Sequence, residues 1–220
     1  VIDMNEEQVI YFVRHGQSEA NKHGIIQGHA EFPLSKLGQM QAKLAADWFV
    51  ETKLNEIFSS DLSRARFTAE AIGHRQNNGR LHVHSEPLVR EVGLGPLEGM
   101  TREQMADQFP EMKSEALLTS GIDGTETIEA ITLRCEKLTE KLTDLPSGNI
   151  AVVSHGGFIS IYLMYLIIGS GWHKANRPFV IGNTGITKVV FTNGTPKIHY
   201  TNNQQHLQTE GDLTSSTVVY

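Results

Sequence analysis

The chain has 220 residues, 39% hydrophobic and 20% charged, which suits one large α/β domain and excludes extended disorder. A net charge of −6 without any basic run excludes nucleic acid as the main partner, so an anion could be held only by a local cluster of cations. The single cysteine, Cys135, excludes an internal disulfide and a cysteine-based metal site.

The opening residues carry neither a basic nor a long apolar segment, so no signal peptide is expected, and with Val in first place residues 1–3 read as a remnant or a processed end. VIYFV (9–13) predicts a buried strand that breaks at Arg14-His15-Gly16. LSKLGQMQAKLAADWFVE predicts a helix capped by Ser35, with Leu37, Met40, Leu44 and Trp48 as its apolar face. EIFSS (56–60) predicts a second strand, followed by a helix over 61–76 that begins near Asp61 or Ser63. LHVHSE (81–86) reads as a third short strand, and TREQMADQF (101–109) as a short helix closed by Pro110.

From Thr127, the residues Ile128, Ile131, Cys135, Leu138, Leu142 and Leu145 follow spacings of three and four. That pattern predicts a helix stopped by Pro146 and Gly148, with Cys135 as a buried structural thiol. NIAVVSH (149–155) predicts another strand, which leads through Gly156-Gly157 into the apolar helix FISIYLMYLII. That run, about a dozen residues interrupted by Ser160, is too short to cross a bilayer, so a cytoplasmic protein without membrane contact is expected. GITKVVFT and PKIHYT, separated by Asn193-Gly194, predict a hairpin. The expected fold is a three-layer α/β/α sandwich with a mainly parallel central sheet and an antiparallel edge strand. It forms one domain over 1–220, with a core at about 8–201 and a polar tail over 202–220.

Ligands of such a sheet bind beyond the carboxyl ends of its strands. Two strands here end in His followed by Gly, at His15-Gly16 and His155-Gly156. A third ends in the loop that delivers Arg64 to the first turn of a helix, and VREVGLGPLEGM (89–100) sets Glu91 before a glycine-rich loop. Two histidines, two arginines and a carboxylate at one sheet edge suit phosphoryl transfer. The guanidiniums of Arg14 and Arg64 can grip phosphate oxygens, one imidazole can attack phosphorus, and a carboxylic acid can protonate the leaving oxygen. With the cations built in, such a site needs no metal or other cofactor.

VRHGQSEAN, DLSRARFTAEAI, VREVGLGPLEG and VVSHGGFI, in that order, resemble the histidine phosphatase superfamily in its phosphoglycerate-mutase-like branch, over about residues 9–191. The resemblance implies that His15 becomes a phosphohistidine, that Arg14, Arg64 and His155 form the phosphate pocket, and that Glu91 is the general acid. It further implies that Asn21 helps to hold the phosphoryl group, that Gly156 offers a backbone amide there, and that Gln27-Gly28 lies in a substrate loop. Asn183 would be structural support. His23, His29, His74, His82, His84, His173, His199 and His206 read as ordinary polar residues. His82 and His84 alternate like metal ligands but lack a third, and GLGPLEG lacks the spacing of a dinucleotide loop.

The resembling mutases are longer and carry paired arginines between the acid and the second histidine. Here Glu91 and His155 are 64 positions apart (155 − 91), with only Arg102 and Arg134 besides lysines. The expected function is therefore a metal-independent phosphomonoesterase, with a phosphoglycerate mutase or a non-catalytic phosphate-ester binder as alternatives. The expected partner is a small phosphorylated metabolite, and a homodimer is compatible with this reading. Met100, Met105, Phe109, Met112, Leu117 and Leu118 between these motifs read as helix packing rather than as the wall of a substrate pocket.

Overall fold

The computed structural model describes residues 6–76, 78–79, 81–112, 114–209 and 211–215. Its centre is a six-stranded sheet of order β3-β2-β4-β1-β5-β6, formed by β1 (Glu7–Arg14), β2 (Glu56–Ser59), β3 (Val83–Ser85), β4 (Gly148–Ser154), β5 (Ile186–Thr192) and β6 (Thr195–Asn203). Strands β1 to β4 pair in parallel, and β5 runs antiparallel to β1. The predicted antiparallel edge is a whole hairpin: Asn193 (φ 49°) and Gly194 (φ 77°) form its two-residue turn, in the left-handed conformation that such tight turns require.

Side chains alternate across the sheet and build two cores. Ile10, Phe12, Ile150 and Val152 face α5 (Ile128–Thr143) and α6 (Gly156–Ile168). Tyr11, Val13, Ala151 and Val153 face α2 (Lys36–Trp48) and α3 (Ser63–His74). The remaining helices, α1 (Glu19–His23) and α4 (Arg102–Gln108), lie in the connections. Helix α5 buries Ile131, Cys135, Leu138 and Leu142 as its spacing predicts, though it ends at Thr143, before Leu145. Burial pushes the Cys135 thiol up to about 12, so it stays an uncharged packing group.

Two expectations are corrected. Helix α2 does not bury Leu37, Met40, Leu44 and Trp48; its buried face is Gly38, Gln41, Ala42, Ala45 and Ala46, and Met40 is 53% exposed. The reason is close approach. A Cβ on Gly38 would sit 2.0 Å from the Gln17 carbonyl oxygen, and one on Gly16 would sit 2.4 Å from that of Gly38, so only small residues let the helix meet the loop after β1. Helix α3 begins at Ser63, as expected, with Leu62 at the N-cap position; Asp61 pairs with Arg90 and Ser63 bonds Glu31. Residues 202–209 and 211–215 pack on the domain rather than hanging from it as a polar tail. Strand β6 runs to Asn203, the 3-10 turn Gln205–Gln208 buries His206 and Leu207, and Gln41 Nε2 donates to Leu213 O and Ser215 Oγ.

Candidate active site

Parallel register brings the two His-Gly segments together. Arg14 pairs with Ser154 at the ends of β1 and β4, and His15 N donates to Ser154 O at 3.0 Å. The rings of His15 and His155 therefore meet with centroids 5.1 Å apart. One strand over, Ser59 pairs with Val153, which sets Ser60 Oγ 2.9 Å from His155 Nε2. Arg64 enters from the first turn of α3. Arg14, His15, Arg64, Glu91 and His155 are all buried, and the charges of Arg14 and Arg64 act on both histidines.

Each ring is fixed by one nitrogen. His15 Nδ1 lies 2.6 Å from the Gly16 carbonyl, which only accepts, so that nitrogen holds the proton and Nε2 keeps its lone pair. Burial first, then Arg64 and Arg14, drives the His15 pKa well below 6.5, and burial with the same cations does so for His155. Both imidazoles are thus neutral at neutral pH.

Arg64 is anchored through its end groups, Nη1 to Ala30 O and Nη2 to Gly28 O, both at 2.8 Å. Gly28, with φ 51° and no room for a Cβ against Glu98, thus supports Arg64 through its carbonyl. Arg14 Nη1 donates to Ile181 O at 2.7 Å. Asn21 Oδ1 accepts from Ser18 N and from Asn183 Nδ2. Asn183 Nδ2 also donates to His15 O at 3.0 Å. Gln27 is buried and its Oε1 accepts from Ser18 Oγ. At this site the buried nitrogens Arg64 Nε, His155 Nδ1 and Asn21 Nδ2 have no hydrogen-bond partner among the described residues.

Glu91 is held differently. Its Oε1 accepts from Val92 N and Phe158 N, both at 2.9 Å, and its Oε2 accepts from Gly157 N at 3.1 Å. Two amides of the α6 N-terminus, next to Gly156, are therefore spent on this carboxylate. A Cβ on Gly157 would lie 2.6 Å from Glu91 Oε1, which explains the second glycine after His155.

The sequence did not single out the groups behind these side chains. His29 Nε2 donates to Glu91 O at 2.8 Å, so its reading as an ordinary polar residue is incomplete. Glu98 Oε1 ties His29 N to Leu94 N, and Thr68 Oγ1 joins Gly16 N to Arg64 O. Arg134 bonds Glu126 and the carbonyls of Leu88, Arg90 and Glu91. Glu98 and Thr68 lie within the quoted stretches VREVGLGPLEG and DLSRARFTAEAI, whereas His29, Arg134 and Glu126 lie outside every motif. Met105, Leu117 and Leu118 are core, as expected. Phe109 and Met112 line an open cavity of about 580 Å³ that none of the site residues borders. No cluster of three or more metal-ligating side chains occurs among the described residues, and no helix among them is long and apolar enough to cross a membrane.

Residues 10–204 match the histidine phosphatase superfamily (branch 1). The chain is 27% identical over 213 residues to a probable phosphatase of Schizosaccharomyces pombe, covering 91% of this chain and 96% of that one. It is 30% identical over 189 residues to the probable phosphoglycerate mutase GpmB of Photorhabdus laumondii, covering 82% and 83%. Among solved structures, phosphoserine phosphatase of Entamoeba histolytica in complex with 3-phosphoglyceric acid superposes with a TM-score of 0.73 at 29% identity, over 91% of this chain and 99% of that one.

Proposed function

The chain belongs to the histidine phosphatase superfamily, and on that premise we propose that it hydrolyses phosphomonoesters of small metabolites through a phosphohistidine at His15. The observation that carries this reading is the set of three buried nitrogens without a hydrogen-bond partner among the described residues, Arg64 Nε, His155 Nδ1 and Asn21 Nδ2, together with a neutral His15 whose Nε2 keeps its lone pair because Nδ1 bonds Gly16. Buried polar nitrogens of this kind are costly until a ligand or water takes their hydrogen bonds, and the charges of Arg14 and Arg64 favour an anion there.

In the first step the Nε2 lone pair attacks phosphorus while the ester P–O bond breaks. The leaving oxygen takes the proton of Glu91 in its acid form and departs as an alcohol. Arg14, Arg64, His155 and Asn21 bear the charge on the phosphoryl oxygens, as built-in cations and dipoles do in place of a metal. In the second step water attacks phosphorus, gives its proton to the Glu91 carboxylate, and the Nε2–P bond breaks. The sum is ester plus water to alcohol plus phosphate, with His15 and Glu91 restored.

Water rather than a second sugar-acid hydroxyl is the acceptor in this reading. A mutase must hold the carboxylate of its intermediate, and Arg134, between the acid and the second histidine, is spent on Glu126 and three carbonyls. The similarity to a probable mutase keeps that reaction as the second reading. Phosphate release should be measured over a panel that includes phosphoserine and 3-phosphoglycerate, with His15→Ala in parallel. Release that vanishes in the variant supports the phosphatase; isomerisation of 3-phosphoglycerate without release supports the mutase; tight ester binding with neither makes the protein a binder.

A further inference from the structure

Arg134 spends all five of its N–H donors, and every one of them goes to the segment that carries Glu91 or to the carboxylate that braces it. Nη1 donates to Leu88 O at 3.0 Å and to Arg90 O at 2.9 Å. Nη2 donates to Glu91 O at 3.3 Å and to Glu126 Oε2 at 2.9 Å, and Nε donates to Glu126 Oε1 at 2.7 Å. Glu126 closes the frame, for its Oε2 accepts from Gly93 N at 3.0 Å while its own N–H donates to Gly93 O at 2.8 Å. The pair is largely buried, with side-chain exposures of 14% and 15%. The same guanidinium lies 4.5 Å from the ring centre of Phe158, whose N–H holds Glu91 Oε1. One planar group thus fixes the backbone of Glu91 and packs on the residue that fixes its carboxylate.

We propose that Arg134 is a positioning residue for proton donation: it acts through Glu91, setting where that carboxyl meets the leaving oxygen. This rests on the reading of Glu91 as general acid. A lysine offers three donors from one point and cannot span three carbonyls and a carboxylate, so Arg134→Lys keeps the charge and loses the frame. The role also predicts a signature that a general loss of stability does not give. An alkyl phosphate needs a proton on its leaving oxygen, whereas p-nitrophenyl phosphate leaves readily without one.

The experiment compares kcat/KM on an alkyl phosphate and on p-nitrophenyl phosphate for the parent, Arg134→Lys, Glu91→Gln, the double variant, and Glu126→Gln, which leaves Arg134 in place but weakens its brace. The expected result is a loss of about 10- to 100-fold on the alkyl ester for Arg134→Lys, and a smaller loss for Glu126→Gln. Both should keep most of their activity on p-nitrophenyl phosphate, and the double variant should be no worse than Glu91→Gln. Equal losses on both esters for Arg134→Lys and Glu126→Gln, with Glu91→Gln still selective, would overturn the proposal alone. A Glu91→Gln variant that loses equally on both esters would overturn the general-acid reading and this proposal with it.

Discussion

The Nδ1 atom of His15 lies 2.6 Å from the carbonyl oxygen of its own neighbour, Gly16. That contact puts the ring proton on the side facing the loop and leaves Nε2 free to bond phosphorus. Burial, Arg64 and Arg14 then keep the ring from taking a second proton until well below pH 6.5. The nucleophile is therefore ready across the neutral and mildly acidic range. We expect kcat/KM to show no inflection near 6.5 that persists once substrate ionisation is accounted for. A one-proton loss of activity centred at 6.5 would contradict a buried, cation-flanked nucleophile.

Stability should follow pH with a defined sign. His15 and His155 titrate well below 6.5 in the folded chain, and His206, buried against Thr184, titrates at about 4. In the unfolded chain all three take protons near 6.5, so below that pH the unfolded state binds more protons and stability falls on acidification. Each such group removes about 1.4 kcal/mol per pH unit below 6.5 until its folded pKa is reached. Urea midpoints should drop between pH 7 and pH 5, and His206→Gln should reduce the drop. A flat profile over that window would count against the neutral buried histidines.

Gly157→Ala tests the contact between α6 and the acid. Alanine is a better helix former than glycine by roughly 0.5–1 kcal/mol, so stability alone would favour the change. Its Cβ, however, would meet Glu91 Oε1 at 2.6 Å and Leu118 Cδ1 at 3.0 Å. We expect activity on alkyl esters to fall by about 100-fold, in steady-state assays, with the protein still folded by circular dichroism. Full activity would show that Glu91 is not held at this helix end when it works.

The segment at 211–215 reaches the site through two residues. Ser215 Oγ donates to Asn183 Oδ1 at 2.6 Å, and Asn183 Nδ2 holds His15 O and Asn21 Oδ1. Gln41 joins the same segment to Gln17, whose N–H donates to its Oε1. Ser215→Ala removes one hydrogen bond and should lower kcat by about threefold, and a chain ending at Gly211 should lower it by about tenfold or more. Unchanged kcat in the shortened chain would show that Asn183 stays in place without this strap.

What the sequence makes legible is the chemistry at strand ends. His15, Arg64 and His155 could be placed near one another because each follows a strand or opens a helix and parallel pairing aligns such positions; Glu91, in a loop after β3, was placed by its motif. Helix α5 was readable because large apolar residues mark its buried face. Helix α2 was not, because its buried face is glycine and alanine chosen for close approach, a distance that periodicity does not report. Arg134, Glu126 and His29 were hidden for another reason: they act on backbone carbonyls and amides far away in the chain, and such partners leave no residue pattern. The packing of residues 202–209 and 211–215 is not legible because polar side chains that bond buried groups look, in sequence, like solvated ones.

The central claim is a covalent phosphoryl group on His15 Nε2. A rapid quench under conditions that spare phosphohistidine, with intact-mass and peptide mapping, tests it most directly on the Glu91→Gln variant, where transfer to water should be slowed. The account predicts one added phosphoryl group during turnover of p-nitrophenyl phosphate, mapped to His15 and absent from His15→Ala. Phosphate release by the parent with no phosphoryl group ever found on His15, or with His15→Ala as active as the parent, would contradict it.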